Sequence, residues 1–149
     1  LLSEYSINPK NITFEITESA VMTDLVSFLD VLSRLSIKGF SLSIDDFGTG
    51  FSSLSLLYQA PFKELKIDQN FVGRMLGDPE AMIIVEVCIL LAKKMGMKVV
   101  AEGIENNRVL STLKKLGCDV AQGYFIGRPM PLQDLVTWWS QRCETHEAE

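Results

Sequence analysis

The sequence carries a pair of adjacent carboxylates, Asp45 and Asp46, which lie between an apolar run and the glycine-rich Phe47–Gly50. The apolar run, Phe40–Ile44, is predicted to be a strand. Two carboxylates beside a buried strand are costly unless a cation neutralises them. Hard divalent ions such as Mg²⁺ and Mn²⁺ prefer ligand sets made only of oxygen. A plain turn is the alternative interpretation, because Asp and Gly are common turn residues.

Strand-like and helix-like runs alternate along the chain. The predicted strands are Ile12–Thr17, Phe40–Ile44, Phe62–Ile67, Met97–Ala101 and Asp119–Phe125. The predicted helices run from about Asp24 to Leu35, Ser52 to Tyr58, Glu80 to Lys94, Asn107 to Leu116, and onward from Pro131. Apolar residues at steps of three and four indicate the helices. Such alternation predicts an α/β fold with a parallel sheet and helical crossovers.

Each predicted strand ends in polar, mostly acidic residues. They are Glu15 and Glu18, Asp45 and Asp46, Lys66 and Asp68, Glu102 and Glu105, and Gln122. Parallel βα units bring the carboxyl ends of their strands to one face, where ligands bind. Taken singly, each residue is better explained as part of a solvated loop. Taken together, they predict a site for metal ions and phosphate.

The amino-acid composition favours some classes of protein and argues against others. The 149 residues are 47% hydrophobic and carry a net charge of −5, which fits one compact domain. The acidic balance argues against nonspecific binding of DNA or RNA, which needs a basic face. Three widely spaced cysteines indicate reduced thiols and a cytoplasmic location. The longest apolar run, Ala81–Ala92, is too short to be a membrane segment.

Five sequence motifs, taken in their order and with their spacing, resemble those of a known family. The resemblance covers nearly the whole chain. The motifs are Phe14-Glu15-Ile16-Thr17-Glu18-Ser19, Ile44-Asp45-Asp46-Phe47-Gly48-Thr49-Gly50, Leu65-Lys66-Ile67-Asp68, Val100-Ala101-Glu102-Gly103-Ile104-Glu105 and Gln122-Gly123-Tyr124. Together they resemble the EAL-domain family, bacterial phosphodiesterases for cyclic di-GMP. The resemblance implies a (β/α) TIM-type barrel, here incomplete and made of the later five parallel βα units.

The resemblance implies a centre of two divalent ions, Mg²⁺ or Mn²⁺. Its implied ligands are Glu15, Asp45, Asp46 and Glu102, with Glu102 supporting the second ion or its water. Lys66 resembles the lysine that orients the attacking water, and Gln122 resembles the glutamine that contacts this water or the phosphate. Two ions about 3.5–4 Å apart activate a bridging water and clamp both reacting oxygens, which suits phosphodiester hydrolysis.

Further roles around this centre are implied by the same resemblance. Glu18 resembles the glutamate that anchors the loop after Asp46, a loop also implied in dimer contacts. The implied substrate-binding residues are Phe47, Gly48, Gln122 and Pro129. Glu105 is either catalytic or a helix N-terminal charge favoured by the helix dipole. Asp68 either contacts the metal site or caps its loop.

The implied function is hydrolysis of cyclic di-GMP to linear pGpG, by a domain that occupies residues 1–142, before a disordered tail at 143–149. The Glu-x-Leu strand that names the family and the next strand, with its asparagine ligand, are not in the sequence. The isolated piece is therefore expected to be inactive, and to be completed by upstream sequence or a homodimer partner. An upstream sensor or receiver domain is also expected. The alternative interpretation is a non-catalytic receptor or scaffold of the same fold.

Overall fold

The computed structural model describes residues 2, 4–17, 25–49 and 54–146, with side chains up to 142. The strands in this part are β1 (Thr13–Thr17), β2 (Ser41–Phe47), β3 (Glu64–Ile67), β4 (Lys98–Ala101) and β5 (Val120–Ala121). The α-helices are α1 (Leu25–Ile37), α2 (Leu54–Gln59), α3 (Gln69–Arg74), α4 (Pro79–Lys94), α5 (Asn107–Leu116) and α6 (Leu132–His146). A short 3-10 helix at Pro9–Asn11 precedes β1. The predicted anchor Glu18 lies outside the described residues.

The described strands form one parallel sheet in the order β1-β2-β3-β4-β5. This order confirms the predicted α/β fold, because each helical crossover returns the chain to the next position in the sheet. β1 and β5 are the two edges, and the sheet does not close into a barrel within the described residues. None of the helices in this part of the chain has the length and apolar character needed to span a bilayer.

Helix α4 shows how sequence defines a crossover. Asp78 caps its N-terminus, Pro79 occupies the first turn, where its missing N–H costs nothing, and two lysines lie in its last turn. Its buried residues, at helical spacing, are Ala81, Val85, Cys88, Ile89 and Ala92. This face packs against β3 and β4.

The alternation of side chains along β2 separates the core from the polar face. Leu42 and Ile44 are fully buried in the hydrophobic core. Ser43 and Asp45 point to the opposite face, because successive residues of a strand alternate. Glu15 pairs with Ser43 in the parallel register, so it shares that face. Polar residues of neighbouring strands thus collect on one side of the sheet.

Several elements differ from the sequence prediction in their bounds. β2 continues through Asp45 and Asp46 to Phe47, so the carboxylates lie inside the strand rather than after it. The pairing of β2 with β3 shifts register between Ile44 and Phe47, which releases this stretch from regular pairing. β5 has only two residues, and α3 was not predicted. The last helix continues to His146, beyond the predicted domain end at residue 142.

The cap of α4 offers a stability test. Oδ1 of Asp78 accepts the N–H groups of Glu80 at 3.0 Å and Ala81 at 3.3 Å. We expect Asp78→Ala to lower the free energy of unfolding by about 1 kcal/mol, because these donors lose their acceptor. Urea denaturation measures the change. Asp78→Asn keeps a side-chain acceptor and should lose clearly less; an unchanged midpoint in the alanine variant would contradict the capping role.

Candidate functional site

A nearly buried lysine occupies the centre of the polar face. The side chain of Lys66, on β3, is 5% exposed. Its Nζ lies 2.8 Å from Oε1 of Glu102, 3.0 Å from Oε1 of Glu15 and 3.2 Å from Oδ1 of Asp45. These carboxylates come from β1, from β2 and from the residue that follows β4. Four separate βα units therefore contribute to one cluster.

The carboxylates keep this lysine charged. Burial by itself lowers the pKa of Lys66, but hydrogen bonds to Glu102, Glu15 and Asp45 outweigh that effect and raise the pKa above its ordinary value. The ammonium form is therefore the one present at neutral pH. A buried charge with this many hydrogen-bonded partners is compatible with a stable fold, whereas an unpaired one is not.

Three of the acidic side chains are close enough to share a cation. Ligand oxygens of Asp45, Asp46 and Glu102 all lie within 4.8 Å of one another. An oxygen-only donor set of this kind fits a hard divalent ion such as Mg²⁺ or Mn²⁺. Glu15 is outside this group, and its side chain is 51% exposed. In this structure Glu15 contacts Lys66 instead.

Asp46 adopts a backbone conformation that few residues tolerate. Its φ of 53° lies in the left-handed region, where Asp and Asn are enriched. Its N–H donates to Oδ1 of Asp45 at 3.1 Å, and its carbonyl accepts the hydroxyl of Thr49 at 2.9 Å. These contacts keep the two carboxylates on the same rim despite their adjacent positions in the chain.

The Asp46 carboxyl has a raised pKa. Burial is the main cause, followed by the negative charge of Asp45 and a hydrogen bond with Asp68; the charges of Asp68 and Glu102 add to it. Each of these favours the protonated form. The neighbouring carboxylates thus add an unfavourable negative charge at Asp46, which a bound cation would offset.

Asp68 lies between the start of α3 and the acidic cluster. Its side chain caps α3, where Oδ1 accepts the N–H of Asn70 at 2.8 Å, and the residue is 5% exposed. Asp68 also raises the pKa of the Asp46 carboxyl, through hydrogen bonding and through its negative charge. Asp68 therefore connects the start of α3 to the acidic cluster.

The segment after β5 is held by the segment after β4. Ile104 donates its N–H to the carbonyl of Gln122 at 3.1 Å and accepts the N–H of Phe125 at 3.0 Å. A Cβ on Gly123 would lie 2.2 Å from the nitrogen of Ile104, so only glycine permits this approach. This backbone clamp fixes Gln122, whose side chain is exposed.

An open depression lies beside this clamp. Its lining includes Gln122, Tyr124, Arg128, Pro129, Met130 and Trp138. The guanidinium of Arg128 lies 4.9 Å from the centre of the Tyr124 ring, a cation–π contact. Two of the predicted substrate-binding residues, Gln122 and Pro129, therefore share one surface feature.

Other predicted residues are placed differently. The Phe47 side chain is 6% exposed and belongs to the hydrophobic core, so its ring presents no surface to a substrate. Gly48, with a φ of 102°, packs against Phe71, where a Cβ would lie 3.1 Å from the ring. Glu105 is exposed and directly precedes Asn106, the N-cap of α5, which fits the helix-terminus alternative.

Two residues near the site, Ile104 and Ser43, are hard to identify from the sequence. Ile104 reads as an ordinary apolar residue, although its backbone holds Gln122. Ser43 is fully buried on the polar side of β2, and its hydroxyl has no hydrogen-bond partner among the described residues. A serine between Leu42 and Ile44, two positions before Asp45, is the signal that the sequence offers for it.

Residues 1–129 match the EAL domain family. The cyclic di-GMP phosphodiesterase RocR of Pseudomonas aeruginosa is 39% identical over 140 residues, which cover 94% of this chain and 36% of RocR. The structure of the PaMucR phosphodiesterase in complex with c-di-GMP is 41% identical with a TM-score of 0.86, covering 90% of this chain and 54% of that chain.

A further solved structure, the manganese and cyclic di-GMP complex of BlrP1 from Klebsiella pneumoniae, has a TM-score of 0.80 and 33% identity, covering 86% of this chain and 33% of that chain. These neighbours are EAL domains with a TIM-type barrel, which confirms the predicted fold class. The chain spans 36% of RocR and 54% of the PaMucR chain, which is less than two thirds of each.

The raised pKa of Asp46 gives a pH-dependent prediction. Because the folded state holds this proton more tightly than the unfolded state, ionised Asp46 destabilises the fold at neutral pH, and the cost disappears as pH falls through the raised pKa. We expect Asp46→Asn, which tolerates the same backbone conformation, to raise the urea midpoint at pH 7 in EDTA. The gain should shrink towards pH 4. Asp30→Asn, at an exposed carboxylate on α1, is the control; an equal gain there would contradict the assignment.

Gly123 tests the backbone clamp. We expect Gly123→Ala to lower the free energy of unfolding by about 1–3 kcal/mol, because the new methyl group overlaps the backbone of Ile104. Gly73→Ala is the matched control, since a Cβ at Gly73 meets nothing within 4 Å and alanine favours its helix. Urea denaturation compares the two. Equal stability of both variants would show that the clamp is not rigid.

Proposed function

Because the chain belongs to the EAL domain family, we propose that it is part of a domain that hydrolyses cyclic di-GMP to linear pGpG with two divalent metal ions. The observation that carries this proposal is the gathering of Asp45, Asp46 and Glu102 oxygens within 4.8 Å, beside the buried ammonium of Lys66. RocR and PaMucR are both named as phosphodiesterases, which supports phosphodiester hydrolysis as the proposed reaction.

The residues suit the charge of the substrate. A phosphodiester is anionic and repels both a carboxylate rim and an attacking hydroxide. Asp45, Asp46 and Glu102 would hold the divalent ions, which would supply the missing positive charge and activate water. Glu15 lies next to Lys66 and is sufficiently exposed to turn towards an ion at this rim. The ligand set proposed here is therefore these four acidic residues.

Lys66 has a distinct role in this scheme. Its ammonium is a compact, fixed positive charge beside the rim where the phosphodiester must bind. It stabilises the negative charge that grows on the phosphoryl oxygens as the bond to the leaving oxygen breaks. In the metal-free structure the surrounding carboxylates hold the ammonium at this side of the rim.

The depression next to Gln122 suggests how the rest of the dinucleotide binds. Gln122 directly follows β5 and lines the depression together with Pro129 and Arg128. An exposed amide there is able to contact the phosphate or its water. We place one guanosine of the substrate in this depression, with the scissile phosphate at the rim. Glu105 is exposed and lies outside the acidic cluster, so we assign it only to the flanking loop.

The partners of this domain also form part of the proposal. β1 and β5 leave unpaired edges within the described residues, and such edges are normally covered in a folded domain. We propose that further strands of the barrel cover them, and that the complete domain acts as a homodimer governed by a sensor or receiver domain. RocR and PaMucR are each longer than this chain, which leaves room for such domains.

Turnover of cyclic di-GMP tests the proposal. We expect the complete domain to form pGpG with Mg²⁺ or Mn²⁺, and EDTA to abolish this. Asp45→Asn and Lys66→Ala should each lower kcat by on the order of 100-fold or more, because they remove a metal ligand and a transition-state charge.

Exposed residues provide the controls: Asp30→Asn and Lys63→Ala change the same charges away from the cluster and should leave turnover unchanged. Near-normal kcat in both site variants would refute the assigned roles. Tight binding of cyclic di-GMP without any hydrolysis by the complete domain would favour the receptor instead.

A further inference from the structure

Lys66 occupies the same carboxylates that are proposed to hold metal. Two of its three partners, Asp45 and Glu102, belong to the group whose oxygens lie within 4.8 Å of one another. Lys66 reaches Oδ1 of Asp45, and this oxygen also accepts the N–H of Asp46. At least one oxygen of each shared carboxylate is therefore already engaged by the ammonium.

We propose that Lys66 is a built-in counter-cation, which takes the place of a divalent ion in the metal-free protein and competes with that ion for Asp45 and Glu102. The proposal rests on the proposed metal-dependent function and adds a means of regulating its metal affinity. It makes Lys66 a determinant of how tightly the site binds metal, in addition to any contact with substrate.

The charges explain why a counter-cation is needed. Without the ammonium, Glu15, Asp45 and Glu102 would face one another with no positive charge between them. Removing one partner of a buried ion pair is strongly destabilising, because the remaining charge stays desolvated and unpaired. Lys66 thus allows the acidic cluster to fold before any metal binds, so the site is formed in advance and does not depend on metal for folding.

The geometry also favours competition over cooperation. A divalent ion that binds Asp45 through its other oxygen remains close to the ammonium, because both cations contact one carboxylate. Like charges at such separations repel. Either the lysine moves away or it stays and repels the ion; in both cases the metal binds less tightly than it would to the carboxylates alone.

Metal titration of this chain tests the inference, with Mn²⁺ as the probe. Lys66→Met removes the charge and keeps a similar length, and we expect its Kd for Mn²⁺ to fall at least tenfold relative to the unsubstituted protein. Lys63→Met is the matched control, since Lys63 is exposed and precedes the same strand. It should bind Mn²⁺ with unchanged affinity. Lys66→Arg retains the charge and should not tighten binding.

Thermal unfolding gives a second measurement that does not need a tight titration curve. In EDTA, Lys66→Met should unfold at a lower temperature than the unsubstituted protein, and saturating Mn²⁺ should close that gap. If the variant does not fold in EDTA, recovery of its near-ultraviolet circular dichroism on addition of Mn²⁺ supports the inference. Failure to recover with Mn²⁺ would overturn it.

Weaker or equal Mn²⁺ binding by folded Lys66→Met would also overturn the inference, since it would make Lys66 a support for the metal ligands. This outcome is separable from failure of the proposed function. Tighter Mn²⁺ binding by the variant supports the counter-cation role even if the complete domain does not hydrolyse cyclic di-GMP. Hydrolysis by the complete domain, with no gain in Mn²⁺ affinity in the variant, supports the function and refutes the counter-cation role.

Discussion

The ammonium of Lys66 lies almost fully buried among carboxylates from three other βα units. Neither kind of charge is stable at this position alone, because an isolated charge out of water costs far more than a hydrogen-bonded pair. β3 lies in the middle of the sheet, so a lysine on this strand reaches the carboxylates of both flanking strands. The parallel sheet therefore brings opposite charges to one point, and the rest of the site is arranged around them.

Two local features of the backbone complete the acidic site. The register shift in β2 and the left-handed conformation of Asp46 place consecutive carboxylates on the same rim, which a regular strand would send to opposite faces. The contact of Gly123 with the backbone of Ile104 ties the end of β5 to the segment after β4. Both features depend on backbone geometry, so small changes in side-chain size or conformation at these positions disturb the site.

Much of this was predictable from sequence, and the exceptions have physical reasons. β3 and β4 begin within two residues of their predicted starts, because apolar runs between helical patterns define them well. The end of β2 was missed because Asp and Gly are read as turn residues, although Asp46 remains in the strand. Phe47 was assigned to substrate binding from its place in a motif, whereas packing buries it. The burial of Lys66 could not be read from the chain, since lysine is rarely buried without partners that only the fold supplies.

The central claim is that acidic side chains from separate βα units form one divalent-cation site. Anomalous diffraction from crystals grown with Mn²⁺ tests it most directly. The account predicts a manganese peak in contact with oxygens of Asp45, Asp46 and Glu102, at about 2.0–2.5 Å. Crystals in which manganese is absent from these carboxylates, or is bound only elsewhere, would contradict it.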